Sequence, residues 1–399
     1  NTKQMVADVD AVNTGGKAIM GLKFGRHIVS AGLDFENIYK DGIRTMTMQM
    51  MGGTSTKKFN LWNKAVIQNA GLIAGYNAVF GSSTVNAGFR LDINKADSED
   101  TLVLIKNGVE YFNETASQYV NVSGNMGLTH KLTDKLSVSL AIARGTRSPN
   151  MLERYIKLLT VGYDSYDYLG NPQLRPETNN EVDLTFKYSD VKLGSMYMNG
   201  FFSYVKDYIS AELLPSSVIK PGTLGAPGVK QFVNVDNATF TGFELGYTSP
   251  QEYKLGISVI AALTYGRIPE VTKYIITAGQ VTGDTVIKND ALPEIPPFET
   301  TLSVNYRLLK GKLVPKIAYR LVSAQKHVSE AFYEPETPGF SILNFSFAYT
   351  ITKNINLNAG VNNIFDVSYY EHLNRRIVGS TEKLYEPGRM FFVTLNLSI

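Results

Sequence analysis

Cysteine is absent from the 399 residues, and tryptophan occurs once, at Trp62. Without cysteine the chain can hold no disulfide and no thiolate metal site. Charges nearly cancel: 39 Lys and Arg against 36 Asp and Glu leave a net +3, too small to imply nucleic acid as a partner. No run of about 18 apolar residues occurs, so no transmembrane helix is expected. Strand-built membrane proteins stay open, because their strands are never uniformly apolar. The chain opens on Asn1-Thr2-Lys3 without a secretory leader, so an envelope protein would have lost its start. Gly-x-Ser-x-Gly, a Walker loop, His-Glu-x-x-His and an EF-hand pattern are all missing, and no enzyme or resident cofactor is expected.

What is present is alternation. Phe391, Val393, Leu395, Leu397 and Ile399 take one side of the closing segment, and Phe392, Thr394, Asn396 and Ser398 take the other. Residues 355–362 and 343–350 show the same period of two, which marks strands with one apolar and one polar face. The polar faces are small and rich in amides and hydroxyls. That suits lipid outside and water or a polar plug inside. The 23 Tyr and 20 Phe suit aromatic girdles at two membrane interfaces or ordinary core packing.

The unit recurs without a composition break, so an all-β fold is expected: one antiparallel transmembrane β-barrel domain over residues 1–399, with about fifteen strands. Short turns, such as Thr133-Asp134-Lys135 and Lys310-Gly311, alternate with long connections at 39–60, 95–116, 146–177, 212–229, 268–297, 325–339 and 366–388. That alternation describes an up-and-down meander with short turns in the periplasm and long loops outside. An odd strand count does not close a bacterial single-chain barrel, so strands are expected upstream of residue 1.

Four clusters occur in order: Arg144-Gly-Thr-Arg147-Ser-Pro149, Gly170-Asn-Pro-Gln-Leu-Arg-Pro-Glu177, Asn362-Asn-Ile-Phe-Asp366 with Tyr369-Tyr370, and Glu386-Pro-Gly-Arg389 before the closing strand. Together they resemble the C-terminal barrel of TonB-dependent outer-membrane receptors. The resemblance implies part of a 22-stranded barrel, with the N-terminal plug and first strands outside this chain. It also implies a place among the lipids of a Gram-negative outer membrane, and uptake of a scarce nutrient driven by the TonB complex through the plug. Ile399 departs from the terminal aromatic usual in such receptors. Arg144 is assigned to the polar face, opposite Leu136, Val138, Leu140 and Ile142. Glu181 and Asp183 are placed inward, opposite Val182, Leu184 and Phe186. An inward charge needs a partner or water, so all three are candidates for contact with a plug, and less so with ligand.

Leu292-Pro-Glu-Ile-Pro-Pro297, Leu321-Val-Ser-Ala-Gln325 with His327-Val328, Thr337-Pro-Gly-Phe340 and Tyr370-Glu-His-Leu-Asn374 are similar to the copper-receptor branch. That likeness implies thioether and imidazole ligands, including a His-x-Met on the barrel. Here Met46, Met48, Met50 and Met51 crowd the expected loop 41–58, and the first three share one side of an extended segment. Thioethers are soft ligands that favour Cu(I), so Met46, Met48 and Met50 are the metal-ligand candidates. An apolar loop tip packing on a neighbour gives the same pattern. His327 and His372 are further candidates for metal or haem, though a lone loop His is commonly just solvated. His27 and His130 lie at the turn end and receive no ligand role. Copper is therefore the expected cargo. A siderophore, haem or another chelate is the alternative, kept open by Tyr163, Tyr166 and Tyr168, and a passive porin-like barrel is the third.

Overall fold

A computed structural model describes residues 3–50, 53–99, 102–106, 109–160, 166–214, 219–223, 225–277, 280–374 and 383–398. Its elements run β1 (Lys3–Phe24), β2 (His27–Met50), β3 (Gly53–Phe80), β4 (Ser83–Asp97), β5 (Leu102–Lys106), β6 (Val109–Asn113), β7 (Ser117–Lys131) and β8 (Leu136–Arg147). A short helix α1 (Met151–Tyr155) and β9 (Asp167–Leu169) follow. Then come β10 (Glu177–Asp190), β11 (Gly194–Leu213), β12 (Val229–Thr248), β13 (Leu255–Thr277), β14 (Gln280–Ala291) and β15 (Glu299–Tyr306). The chain ends with β16 (Leu313–Val322), β17 (Phe340–Thr352), β18 (Ile355–Asn362) and β19 (Met390–Leu397).

Among the described residues seventeen strands join one sheet, and β5 and β6 form a separate hairpin. The wall is an antiparallel meander of fifteen strands, β1-β2-β3-β4-β7-β8-β10-β11-β12-β13-β15-β16-β17-β18-β19. The all-β barrel architecture agrees with the sequence. Beside β12, β13 has two further partners on its other edge: residues 255–262 pair with β15, and residues 267–277 pair with β14. Residues 292–298 interrupt the return between them.

Outward positions are apolar and exposed, as in Leu33 and Phe35 on β2 and Phe391 and Val393 on β19. Inward positions carry the polar set. Arg90 reaches Asp34 at 2.6 Å and Asp92 within the lumen. Such inward charges need partners, and here they find each other.

Two expected loops are strands instead. Residues 39–50 and 53–60 continue β2 and β3, and the ladder runs on to the pair Met50 and Gly53. Residues 268–297 largely extend β13 and add β14. Beyond the bilayer an outward side chain need not be apolar, so the alternation fades while the ladder hydrogen bonds continue. Two register shifts lie between Lys40 and Ile43 opposite β3. They seat Trp62 beside Gly42, where an added Cβ would sit 3.4 Å from the indole and 3.0 Å from Val9.

Within connection 146–177, residues 150–156 and 167–174 do not stand out into solvent but fold inward and carry buried core side chains. Asn150 caps α1 through both Leu152 and Glu153 amides, and Glu153 returns a bond to the Asn150 amide, a complete capping box. Tyr155, Ile156 and Leu174 are fully buried there. They pack with Leu61, Ala65 and Ile67 of β3 and with Trp62. Arg154 is also fully buried, held by Asn94 at 2.7 Å and Ser117 at 3.0 Å.

Candidate functional site

Arg147 ends β8 on the inner side and ties the lining to the wall. Its guanidinium binds Glu153 in a two-pronged contact at 2.8 and 3.1 Å, and Glu177 at 2.7 Å. Glu177 also accepts the Ile209 amide at 3.0 Å. The Arg-x-x-Arg-Ser-Pro and Arg-Pro-Glu clusters therefore meet as one latch.

Arg144 is not in that latch. It differs from Ile142 by two residues, so it shares the outward side with Leu140 and Ile142. Its cross-strand partner is Asn180, also its hydrogen-bond partner at 3.4 Å. The placement of Arg144 on the polar face is thus corrected, and Arg147 is the inward arginine of the motif. Glu181 and Asp183 do face inward: they pair in register with Ala143 and Ala141, while Val182 and Leu184 are exposed outside. Asn179 donates to Glu181 at 3.1 Å.

The methionine segment is the upper part of β2, not a loop. Met46 and Met48 follow Arg44 on the same side, and Arg44 reaches inward to the Leu158 carbonyl at 2.8 Å. Met46 stands directly across the ladder from Met5 of β1. Directly opposed residues share a face, so Met5 joins Met46 and Met48, a neighbour that sequence distance hides. Met50 ends β2 opposite Gly53. Met51, Tyr163 and Ile399 lie outside the described residues.

The two histidines separate. His327 is exposed, edge-on to Tyr265. His372 is buried, not solvated, between Thr337 Oγ1 at 3.0 Å and Glu334 Oε1 at 3.1 Å. Lys383 Nζ bonds its carbonyl oxygen. His372, Glu334 and Lys383 border a cavity of about 250 Å³ that also takes in Tyr168, Tyr208 and Lys230. The Lys230 ammonium is buried 4.2 Å from the Tyr166 ring centre and 5.5 Å from that of Phe332. The chamber sets Lys230 and Lys383 among aromatic rings, with the carboxylates of Glu294 and Glu334 also on its wall; its ammonium groups and rings suit an aromatic group that carries negative charge. Among the described residues no three of His, Asp and Glu gather as a metal-binding group.

Sequence reasoning missed Lys230, Lys383 and Glu334. Lys230 sits in Val229-Lys230-Gln231-Phe232, where all four residues are buried, so no alternation marks the lysine. Its signal is a cation beside a Tyr-rich connection.

The family description "TonB dependent receptor-like, beta-barrel" matches residues 3–364. The ferric enterobactin receptor of Pseudomonas aeruginosa is 26% identical over 300 residues, covering 70% of this chain and 38% of that protein. Among solved structures, the copper transporter OprC gives a TM-score of 0.78 at 21% identity, covering 99% of this chain and 58% of that one. The siderophore receptor PiuA from Acinetobacter baumannii gives 0.71 at 14% identity, covering 98% and 56%. At such identities the structural likeness speaks for the fold alone. The chain spans well under two thirds of each of these proteins.

Proposed function

Because the chain belongs to the TonB-dependent receptor β-barrel family, outer-membrane receptors and transporters rather than enzymes, we propose that it is the barrel part of a receptor importing copper. Ligand would enter from the long-loop end, and the TonB complex would drive release through a plug from the periplasm. The observation that carries the copper reading is the thioether set of Met5, Met46 and Met48, brought to one face by the β1–β2 register. Neutral sulfur donors select Cu(I) over harder ions and over Zn(II). The test is Cu(I) titration of the purified receptor beside a variant with Met5, Met46 and Met48 replaced by Leu. Leu keeps the volume and removes the sulfur. Affinity should fall about tenfold or more, the scale of roughly 1.4 kcal/mol; unchanged affinity overturns the copper reading.

A second reading has its own support. The chamber around Lys230 and Lys383 favours uptake of an anionic metal chelate, such as an aromatic siderophore. At about 250 Å³ the chamber is below the usual size for a whole ligand of ~300–1,000 Å³, so it would hold one arm of it.

A further inference from the structure

The short-turn end of the barrel carries a charge that the rest of the chain does not. Its seven turns are residues 23–26, 80–83, 131–135, 190–194, 248–254, 307–312 and 351–354. They hold ten Lys or Arg against three Asp or Glu, a net +7 in a chain whose total is +3. The remainder is therefore net negative. Of the three acids, Asp190 is already engaged by Lys135.

Every one of these turns also exposes a large apolar side chain: Phe24, Phe80, Leu132, Val191, Tyr253, Leu309 and Ile351. Residues 307–312 show the arrangement most clearly. The outward stripe Leu302, Val304 and Tyr306 of β15 runs without a break into exposed Leu308 and Leu309, flanked by Arg307, Lys310 and Lys312. Leu309 is 62% exposed and sits at φ 51°, and Lys310 follows at φ 57°. A left-handed backbone is unfavourable for both residues. In bulk water the exposed leucine would add to that penalty. At a lipid boundary it enters the acyl edge while the neighbouring ammonium groups reach the headgroups.

We propose that this rim is a docking surface for anionic phospholipid headgroups of the inner leaflet of the outer membrane. The partner follows from charge complementarity and from continuity with the lipid-facing stripe. The proposal rests on the outer-membrane placement of the family and is independent of the cargo.

The test uses the whole receptor in phosphatidylethanolamine vesicles carrying a trace of spin-labelled phosphatidylglycerol or spin-labelled phosphatidylethanolamine. Electron paramagnetic resonance measures the protein-bound fraction of each label. Phosphatidylglycerol should bind up to about fivefold more tightly at the rim, from ~1 kcal/mol per cation near an anionic headgroup. High salt should erode the preference. It should fall in Arg307→Gln/Lys310→Gln/Lys312→Gln and survive in Arg307→Lys/Lys310→Arg/Lys312→Arg. If the glutamine variant does not assemble, Lys192→Gln/Lys353→Gln in two other turns gives the same readout. Equal binding of the two labels, or a preference that the glutamine changes leave intact, overturns the proposal. Loss of the preference in inorganic phosphate beyond that in chloride of equal ionic strength overturns it in favour of a free-anion site. Retention on purified peptidoglycan without a lipid preference overturns it in favour of the cell wall.

Discussion

His372 Nε2 lies 3.1 Å from Glu334 Oε1, and through that contact one long loop fastens another. Glu334 also accepts the amides of Ser329 at 2.9 Å and Glu294 at 2.6 Å. One carboxylate therefore joins three segments: residues 292–298, 323–339 and 366–374. The roof of the Lys230 chamber depends on it.

This lock should open in acid. Burial alone raises the Glu334 pKa, but hydrogen bonds from His372 and from the Glu294 and Ser329 amides outweigh it and hold the group below its ordinary value. A lowered folded pKa stabilises the fold above the unfolded carboxylate value, and that contribution is lost as pH falls through the folded value. Amide exchange at Ser329 and Glu294, corrected for intrinsic rates, should show protection at pH 7 that disappears below the carboxylate range. Glu334→Gln keeps one acceptor oxygen, so one of the two amides should lose its protection at pH 7, an orphaned group costing about 1–3 kcal/mol locally.

The wall was legible because the bilayer enforces alternation. Leu343 to Tyr349 and Phe391 to Leu397 announce their faces, and the wall has the expected fifteen strands. Where lipid ends, that signal ends. The upper parts of β2, β3 and β13 lack that alternation and read as loops, although their ladders continue. The inward fold of 150–156 and 167–174 is hidden for a different reason. Its residues bury Tyr155, Ile156 and Leu174 against distant β3, a contact that no local period encodes. Arg144 and Arg147 differ in parity by simple counting, and only the odd-numbered one faces the lumen. The pairing of Met5 with Met46 needs the register of two strands, which a single sequence leaves open.

The Arg147 latch should be measurable as stability. Arg147→Met removes the shared partner of Glu153 and Glu177 and leaves two carboxylates facing each other. Breaking a fully buried pair costs about 3–5 kcal/mol. The Arg147 side chain is 45% exposed, so solvent screening reduces the expectation to about 1–2 kcal/mol. A lower denaturation midpoint and faster amide exchange in α1 would bear this out. An unchanged midpoint would mean that the capping box alone holds the helix.

Trp62 is the chain's single indole, so intrinsic fluorescence reports one place. It packs against the cluster containing fully buried Ile156 and Leu174, with the Lys40 ammonium 4.9 Å from its ring centre. Ile156→Ala should cost about 2–5 kcal/mol, the range for deleting a buried aliphatic side chain. It should also shift Trp62 emission to the red as water gains access. A stability loss without a red shift would place the disturbance elsewhere in the lining.

Lys230 separates the two cargo readings. Its ammonium is enclosed by the rings of Tyr166, Tyr168 and Phe332, beside the segment that carries His372. Lys230→Met keeps the stem and removes the charge. A charge-assisted contact of about 1.5–3 kcal/mol corresponds to roughly a tenfold to hundredfold loss in affinity for an anionic catecholate–iron chelate. Cu(I) binding at the methionine face should be unaffected, because Met46 and Met48 belong to β2 and form no part of this chamber. Titrating both ligands against Lys230→Met and against the Met5/Met46/Met48→Leu variant gives a double dissociation. If only the thioether variant loses its ligand, copper is the cargo. If only Lys230→Met does, the receptor takes a chelate.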